Sequence, residues 1–157
     1  MKIRLVTIGK TDTGWISTGM AVYRERLGHY INFSVTELPD IRNAASLGRE
    51  QIKEREGEML LKNLAANEYA VLLDERGKEY TSTGLAGMIG DRLSHFSGNM
   101  AFVIGGAYGF SDPVYARADA RISLSRMTFS HQMVRVIFLE QLYRAFTIIR
   151  GEPYHHE

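Results

Sequence analysis

Three runs of the chain put small, acidic or hydroxyl residues directly behind apolar stretches. They are Leu72-Leu73-Asp74-Glu75-Arg76-Gly77, Ile104-Gly105-Gly106-Ala107-Tyr108-Gly109 and Ser123-Leu124-Ser125-Arg126-Met127-Thr128-Phe129. Ligands of open parallel sheets bind outside the carboxyl ends of the strands, which is where these runs fall if the apolar stretches are strands. Glycine after a buried strand lets a ligand approach the backbone with no Cβ in the way, although a tight turn alone would also account for Gly105 and Gly106. Familiar phosphate cradles are absent: there is no G-x4-G-K-[ST] string, and Gly105-Gly106-x-x-Gly109 lacks the spacing of a dinucleotide fingerprint. Nor is there a G-x-S-x-G nucleophile elbow. Nucleotide hydrolysis, nicotinamide chemistry and hydrolase triads are therefore disfavoured.

Histidines supply the remaining proton chemistry. His131 follows Ser130 where the last helix is expected to open, and the positive end of a helix disfavours its protonation. Arg135, four residues on, shares its helix face. The tail Pro153-Tyr154-His155-His156-Glu157 offers an aromatic ring for stacking and imidazoles for proton transfer, as a mobile lid would, or is simply a loose end. Adjacent histidines on a terminal tail are poorly spaced for metal ligation, and no metal is expected. Residues 115–150 carry six Arg against Asp119 and Glu140, a local charge of +4, with no Lys. Arginine forks phosphate and stacks on bases, so contact with RNA is plausible there, and solvated surface arginine is the plain alternative.

These residues need a frame. Ile3–Gly9, Phe33–Leu38, Tyr69–Asp74, Met100–Ile104 and Arg121–Ser125 read as strands by alternation or continuous apolar character. Helical spacing covers 13–28, 48–66, a segment capped by Ser82 or Thr83 and running to Phe96, and about 130–149; Asp112 before Pro113 reads as an N-cap. Strands alternating with helices make an α/β protein whose mostly parallel sheet is flanked by helices. The last helix is apolar most of the way round. Its own sheet can cover one side, so a homodimer built on this helix is expected, with a central buried helix as the alternative.

The chain has 157 residues, a formal charge of +1, 45% hydrophobic and 24% charged residues and no cysteine. That composition excludes intrinsic disorder, thiolate metal centres and cysteine nucleophiles, and fits one domain spanning 1–157 in a reducing compartment. No stretch approaches the ~20 apolar residues that span a bilayer, and the N-terminus lacks a signal-peptide core, so a cytoplasmic location without membrane contact is expected.

Across essentially its whole length the chain resembles the ribosomal large subunit methyltransferase H family of the SPOUT class. The resemblance is carried by Lys2-Ile3-Arg4-Leu5-Val6-Thr7-Ile8-Gly9-Lys10, Leu73-Asp74 with Gly77-Lys78, Ile104-Gly105-Gly106, Ser123-Leu124-Ser125 with Thr128, His131, Val134-Arg135, Glu140 to Ala145 and Pro153-Tyr154-His155. It implies a C-terminal trefoil knot, a homodimer, and S-adenosylmethionine-dependent methylation at N3 of a pseudouridine in 23S rRNA within the assembled ribosome. The cofactor positions it implies are Leu73, Gly105, Leu124, Ser125, Arg126, Met127, Thr128 and Phe129, with Arg126 and Met127 contributing backbone only. On this reading Arg135 or Arg144 holds a phosphate, His131 or His155 accepts the proton, and Tyr154 stacks on the target base. An RNA-binding module without activity, or a SPOUT enzyme acting on transfer RNA, are the competing expectations.

Overall fold

Where both faces of a strand must be covered the sequence is apolar at every position, and Met100–Ile104 is the extreme case. In the computed structural model, which describes residues 1–156, this strand is buried throughout and lies at the centre of the sheet. The described strands are β1 (Lys2–Ile8), β2 (Asn32–Leu38), β3 (Tyr69–Glu79), β4 (Met100–Ile104) and β5 (Ala120–Ser123). They form one sheet in the order β2-β1-β4-β3-β5, and every neighbouring pair is parallel. The connecting helices are α1 (Trp15–Leu27), α2 (Arg49–Asn63), α3 (Ser82–His95), α4 (Asp112–Arg117) and α5 (Met133–Ile149).

Period-two geometry sends successive side chains to opposite faces. Ile3, Leu5, Val71 and Phe102 point to a core shared with α1, α3 and α5. Val6, Leu72, Ala101 and Val103 point to a second core, beneath α2 and α4. The Phe102 and Phe138 rings, 4.8 Å apart, lock α5 onto the sheet. Phe138→Ala should lower the unfolding free energy by about 3–5 kcal/mol, measurable by denaturant titration.

Several local expectations are corrected. Thr81, not Ser82 or Thr83, caps α3: its Oγ1 accepts the Gly84 amide at 3.0 Å. Ser111 occupies the N-cap of α4, which moves Asp112 into the first turn. Helix α5 begins at Met133, because Ser130 Oγ accepts the Met133 amide at 3.1 Å and closes the turn before it. Strand β3 runs beyond Asp74: Ile122 is in register with both Leu73 and Lys78, so residues 74–77 bulge from the ladder and the strand resumes.

The reasoning that α5 has only a sheet to pack on is also corrected. Helices α1 and α3 cover its flanks, so Phe138, Leu139, Leu142, Ala145 and Phe146 are all buried within one protomer. Half-buried positions remain at Val134, Val136, Ile137, Glu140, Gln141, Tyr143, Arg144 and Ile148, and of these 134, 137, 141, 144 and 148 form a stripe along one helix face. Among the described residues no helix is long and apolar enough to cross a membrane.

Candidate functional site

The carboxyl ends of β3, β4 and β5 lie side by side, and the segments leaving them enclose a cavity of about 390 Å³. Leu73, Asp74 and Glu75 come from β3 and its bulge; Ile104 to Ala107, Gly109 and Phe110 come from the turn after β4; Leu124, Ser125 and Met127 to His131 come from the segment before α5, with Val134 on that helix.

Each loop is fixed by its own sequence. Ser123 Oγ donates to the Ser125 carbonyl at 2.9 Å, and Ser125 Oγ accepts the Met127 amide at 2.9 Å, which folds 123–127 on itself. Thr128 Oγ1 then donates to Glu75 at 2.9 Å and ties this loop to the bulge of β3. Tyr115 of α4 donates its hydroxyl to Asp74 at 2.7 Å; burial first, then the Asp74 bond, push that phenol up to about 12, so it stays a donor. In the turn after β4, a Cβ at Gly105 would come to 3.0 Å from the Phe110 ring, so any larger residue there must push that ring aside.

Of the residues expected to hold a cofactor, Leu73, Gly105, Leu124, Ser125, Met127, Thr128 and Phe129 share this one cavity, and His131 stands at its edge. Arg126 does not join them. Its side chain is 88% exposed and turns outward to Glu79, with Nε to carboxylate 2.8 Å. Arg135 is placed elsewhere too: it is fully buried, donating to the Ile8, Gly9 and His131 carbonyls and to Thr11 at 2.9–3.1 Å. Burial pulls its guanidinium below the usual value, while Glu37, Asp12 and Asp40 act in the opposite sense. It clamps the end of β1, and its donors are spent within the protein.

The tail forms a second cluster. Tyr154 donates to Glu140 Oε1 at 3.1 Å and lies 4.7 Å from the Arg144 guanidinium. Arg144 binds Glu140 at 2.5 Å and reaches His155 Nδ1 at 3.1 Å. Burial and the Glu140 bond push the Tyr154 phenol up to about 12, which suits stacking and donation and unsuits it as a base. None of these four residues lines the cavity. Val134 and Arg144 stand about 15 Å apart along α5 at 1.5 Å per residue. Glu157, last in the tail run, lies outside the described residues; among the described ones no group of three or more His, Cys, Asp or Glu is disposed to hold a metal.

The family model described as "Predicted SPOUT methyltransferase" matches residues 1–155. The chain belongs to the SPOUT methyltransferase family. It is 51% identical to a ribosomal RNA large subunit methyltransferase H of Parabacteroides distasonis, over 100% of both chains. To the protein of that name from Christiangramia forsetii it is 49% identical, over 99% of each. A solved probable methylase family protein from Haemophilus influenzae superposes at a TM-score of 0.54 with 13% identity, over 99% of this chain and 70% of that one, and so shares the fold.

Three features of this SPOUT methyltransferase site were not singled out from sequence. Asp74 and Glu75 sit in a quoted run but were not distinguished within it. Phe110 follows the last glycine of its motif, and its ring forms a cavity wall. Glu56, on α2, is 7% exposed with its carboxylate against Gly106. Its signal was a gap: positions 52, 60 and 64 of α2 and its C-cap are apolar at helical spacing, and 56 is acidic.

Proposed function

We propose that this methyltransferase acts on the large ribosomal subunit, transferring methyl from S-adenosylmethionine to N3 of a pseudouridine in 23S rRNA. Residues 1–157 would serve as one catalytic domain, carrying the C-terminal trefoil knot of its class, in the cytoplasm where ribosomes are found. The full-length likeness to proteins named as large subunit rRNA methyltransferases supports the substrate class.

The observation that carries the reading is the convergence of three strand-end loops on one cavity. Ile104, Phe110, Leu124 and Val134 give it apolar walls suited to a nucleoside base. Asp74 and Glu75 bring carboxylates suited to ribose hydroxyls and to a cationic amino acid end. Gly105 and Gly106 lay bare backbone along one wall. The donor supplies an electrophilic methyl group on a positively charged sulfur.

The protein's own tasks are alignment, exclusion of water and removal of the N3 proton. Alignment dominates, because an in-line displacement needs nucleophile and methyl group held at near-attack distance. His131, at the cavity edge, accepts the N3 proton as the new N–C bond forms; His155 is the second candidate, and Tyr154 beside it would stack on the base.

We propose a homodimer as well. The half-buried stripe of α5 supports it: 134 with 144 and 137 with 141 are symmetric about Leu139. Antiparallel packing about that point would set Arg144 of the partner subunit against Val134, bringing a tail cluster to the cavity wall.

Ribosomes lacking the modification, incubated with labelled donor, should gain label at a single 23S rRNA pseudouridine. Label on transfer RNA, or no retention of donor at all, would overturn the reading. His131→Ala or His155→Ala should reduce turnover about 10²–10⁴-fold at saturating substrate, whichever is the base. Full turnover in both variants would exclude the pair.

A further inference from the structure

Buried carboxyl groups are ordinarily hydrogen-bonded or paired with a cation. Glu56 is neither. Its Oε1 is fully buried without a hydrogen-bond partner among the described residues. Its carboxylate lies against Gly106: a Cβ built there would stand 2.2 Å from Oε2, 2.6 Å from Oε1 and 2.7 Å from Cδ.

The turn carrying the cavity glycines therefore rests on α2, and it does so at three places. Arg49 lies 5.3 Å from the Tyr108 ring. Glu56, two turns along the same helix face, supports Gly106. Gly57 provides the notch for Ser111, whose Oγ a Cβ there would strike. The charged groups around Glu56 do not compensate it. Asp40, from the segment after β2, acts on it with the same sign. Arg49 is engaged by Tyr108, and Lys53 pairs with Glu50 at 3.0 Å. Arg135, which interacts with Asp40, spends its donors on Ile8, Gly9, Thr11 and His131.

We infer that Glu56 is a positioning residue for the donor loop: neutral, it seats Gly106 and holds residues 105–109 in the shape that takes the methyl donor, and ionised, it unseats them. The loop's role toward a methyl donor rests on the reading above; the seating of the loop does not. Burial, reinforced by Asp40, pushes the Glu56 carboxyl above the ordinary carboxylate value. The sign follows from linkage. An unseated, solvated Glu56 ionises in the ordinary range and a seated one only at higher pH. Seating is complete below the ordinary range and is lost as pH rises through the raised value.

The first test needs no donor. The Gly109 amide donates to the Gly106 carbonyl at 3.2 Å. Its hydrogen-exchange protection factor in the free protein should fall as pH rises from the ordinary carboxylate range upward, and in Glu56→Gln it should stay level. Identical profiles in the two proteins would overturn the proposal.

The second test is calorimetry with S-adenosylmethionine over the same range. The wild-type dissociation constant should rise with pH in proportion to the seated fraction that is lost, with proton uptake on binding, while Glu56→Gln shows neither. Equal pH dependence in both would overturn the role. Absence of donor binding by wild type at every pH would sink the donor reading and leave the exchange result to judge the loop.

Gly106→Ala supplies a geometric arm. Its methyl group meets the carboxylate, so binding should weaken, and Glu56→Ala in the same chain should restore part of it by making room. A double variant no better than Gly106→Ala alone would overturn the seating.

Discussion

Gly105→Val should abolish measurable binding of S-adenosylmethionine, a loss of at least about 100-fold in affinity, while the protein stays folded. Even a single methyl group at this position comes to 3.0 Å from Phe110 Cε1, closer than carbon atoms pack comfortably. Valine adds two more methyl groups at a residue that lines the cavity, so either the Phe110 ring is driven aside or the methyls enter the space a ligand needs. A 100-fold loss corresponds to about 2.7 kcal/mol, within reach of one badly placed side chain in a close-packed wall. Calorimetry reads the affinity, and a thermal melt by circular dichroism checks the fold. Retained affinity with an intact fold would remove the turn after β4 from the site.

Arg135→Ala should cost as much stability as Phe138→Ala, by a different route. The guanidinium is wholly buried and donates to the Ile8 and Gly9 carbonyls at the end of β1. Removing it takes a buried donor from the Ile8 and Gly9 carbonyls, leaves Gly9 only the long Thr7 hydroxyl bond of 3.4 Å, frees Thr11 and opens a cavity beside α5, costing about 3–5 kcal/mol of unfolding free energy. Arg135→Lys should recover only part, because one ammonium cannot reproduce a planar fork bonded on three sides. Urea denaturation measures both variants. If Arg135→Ala kept wild-type stability and lost RNA affinity instead, the residue would be a substrate ligand after all.

The contrast between Arg135 and Gly105 marks how far sequence reaches. Strand positions were legible because alternation and apolar runs are local, and a glycine pair straight after the most apolar strand announces a strand-end loop. That Leu73, Gly105 and the 124–129 run meet at one rim follows from the placement of β3 between β4 and β5, which no local pattern reveals. Arg135 reads as a free cation because its acceptors lie some 126 residues earlier in the chain. Arg144, Tyr154 and His155 read separately as candidates for one pocket, and no local pattern shows that they pack together with Glu140 in one protomer, away from the cavity. Glu56 was hidden in a helix rich in charge, where one more acidic residue carries no visible information. For α5, the hydrophobic wheel showed that more than one side is covered; it could not show that α1 and α3 supply the cover.

The strand order has a kinetic consequence. Strand β1 pairs with β4, bringing Ile3 opposite Met100, so the middle of the sheet closes only after nearly a hundred intervening residues have been made. Until then β1 presents an unsatisfied edge, open to pairing with another chain. Contacts this distant in sequence place refolding among the slower α/β proteins and expose the newborn polypeptide to aggregation. Catalytic competence therefore arrives late, with β4 and β5, and the first half of the molecule serves as scaffold awaiting its keystone.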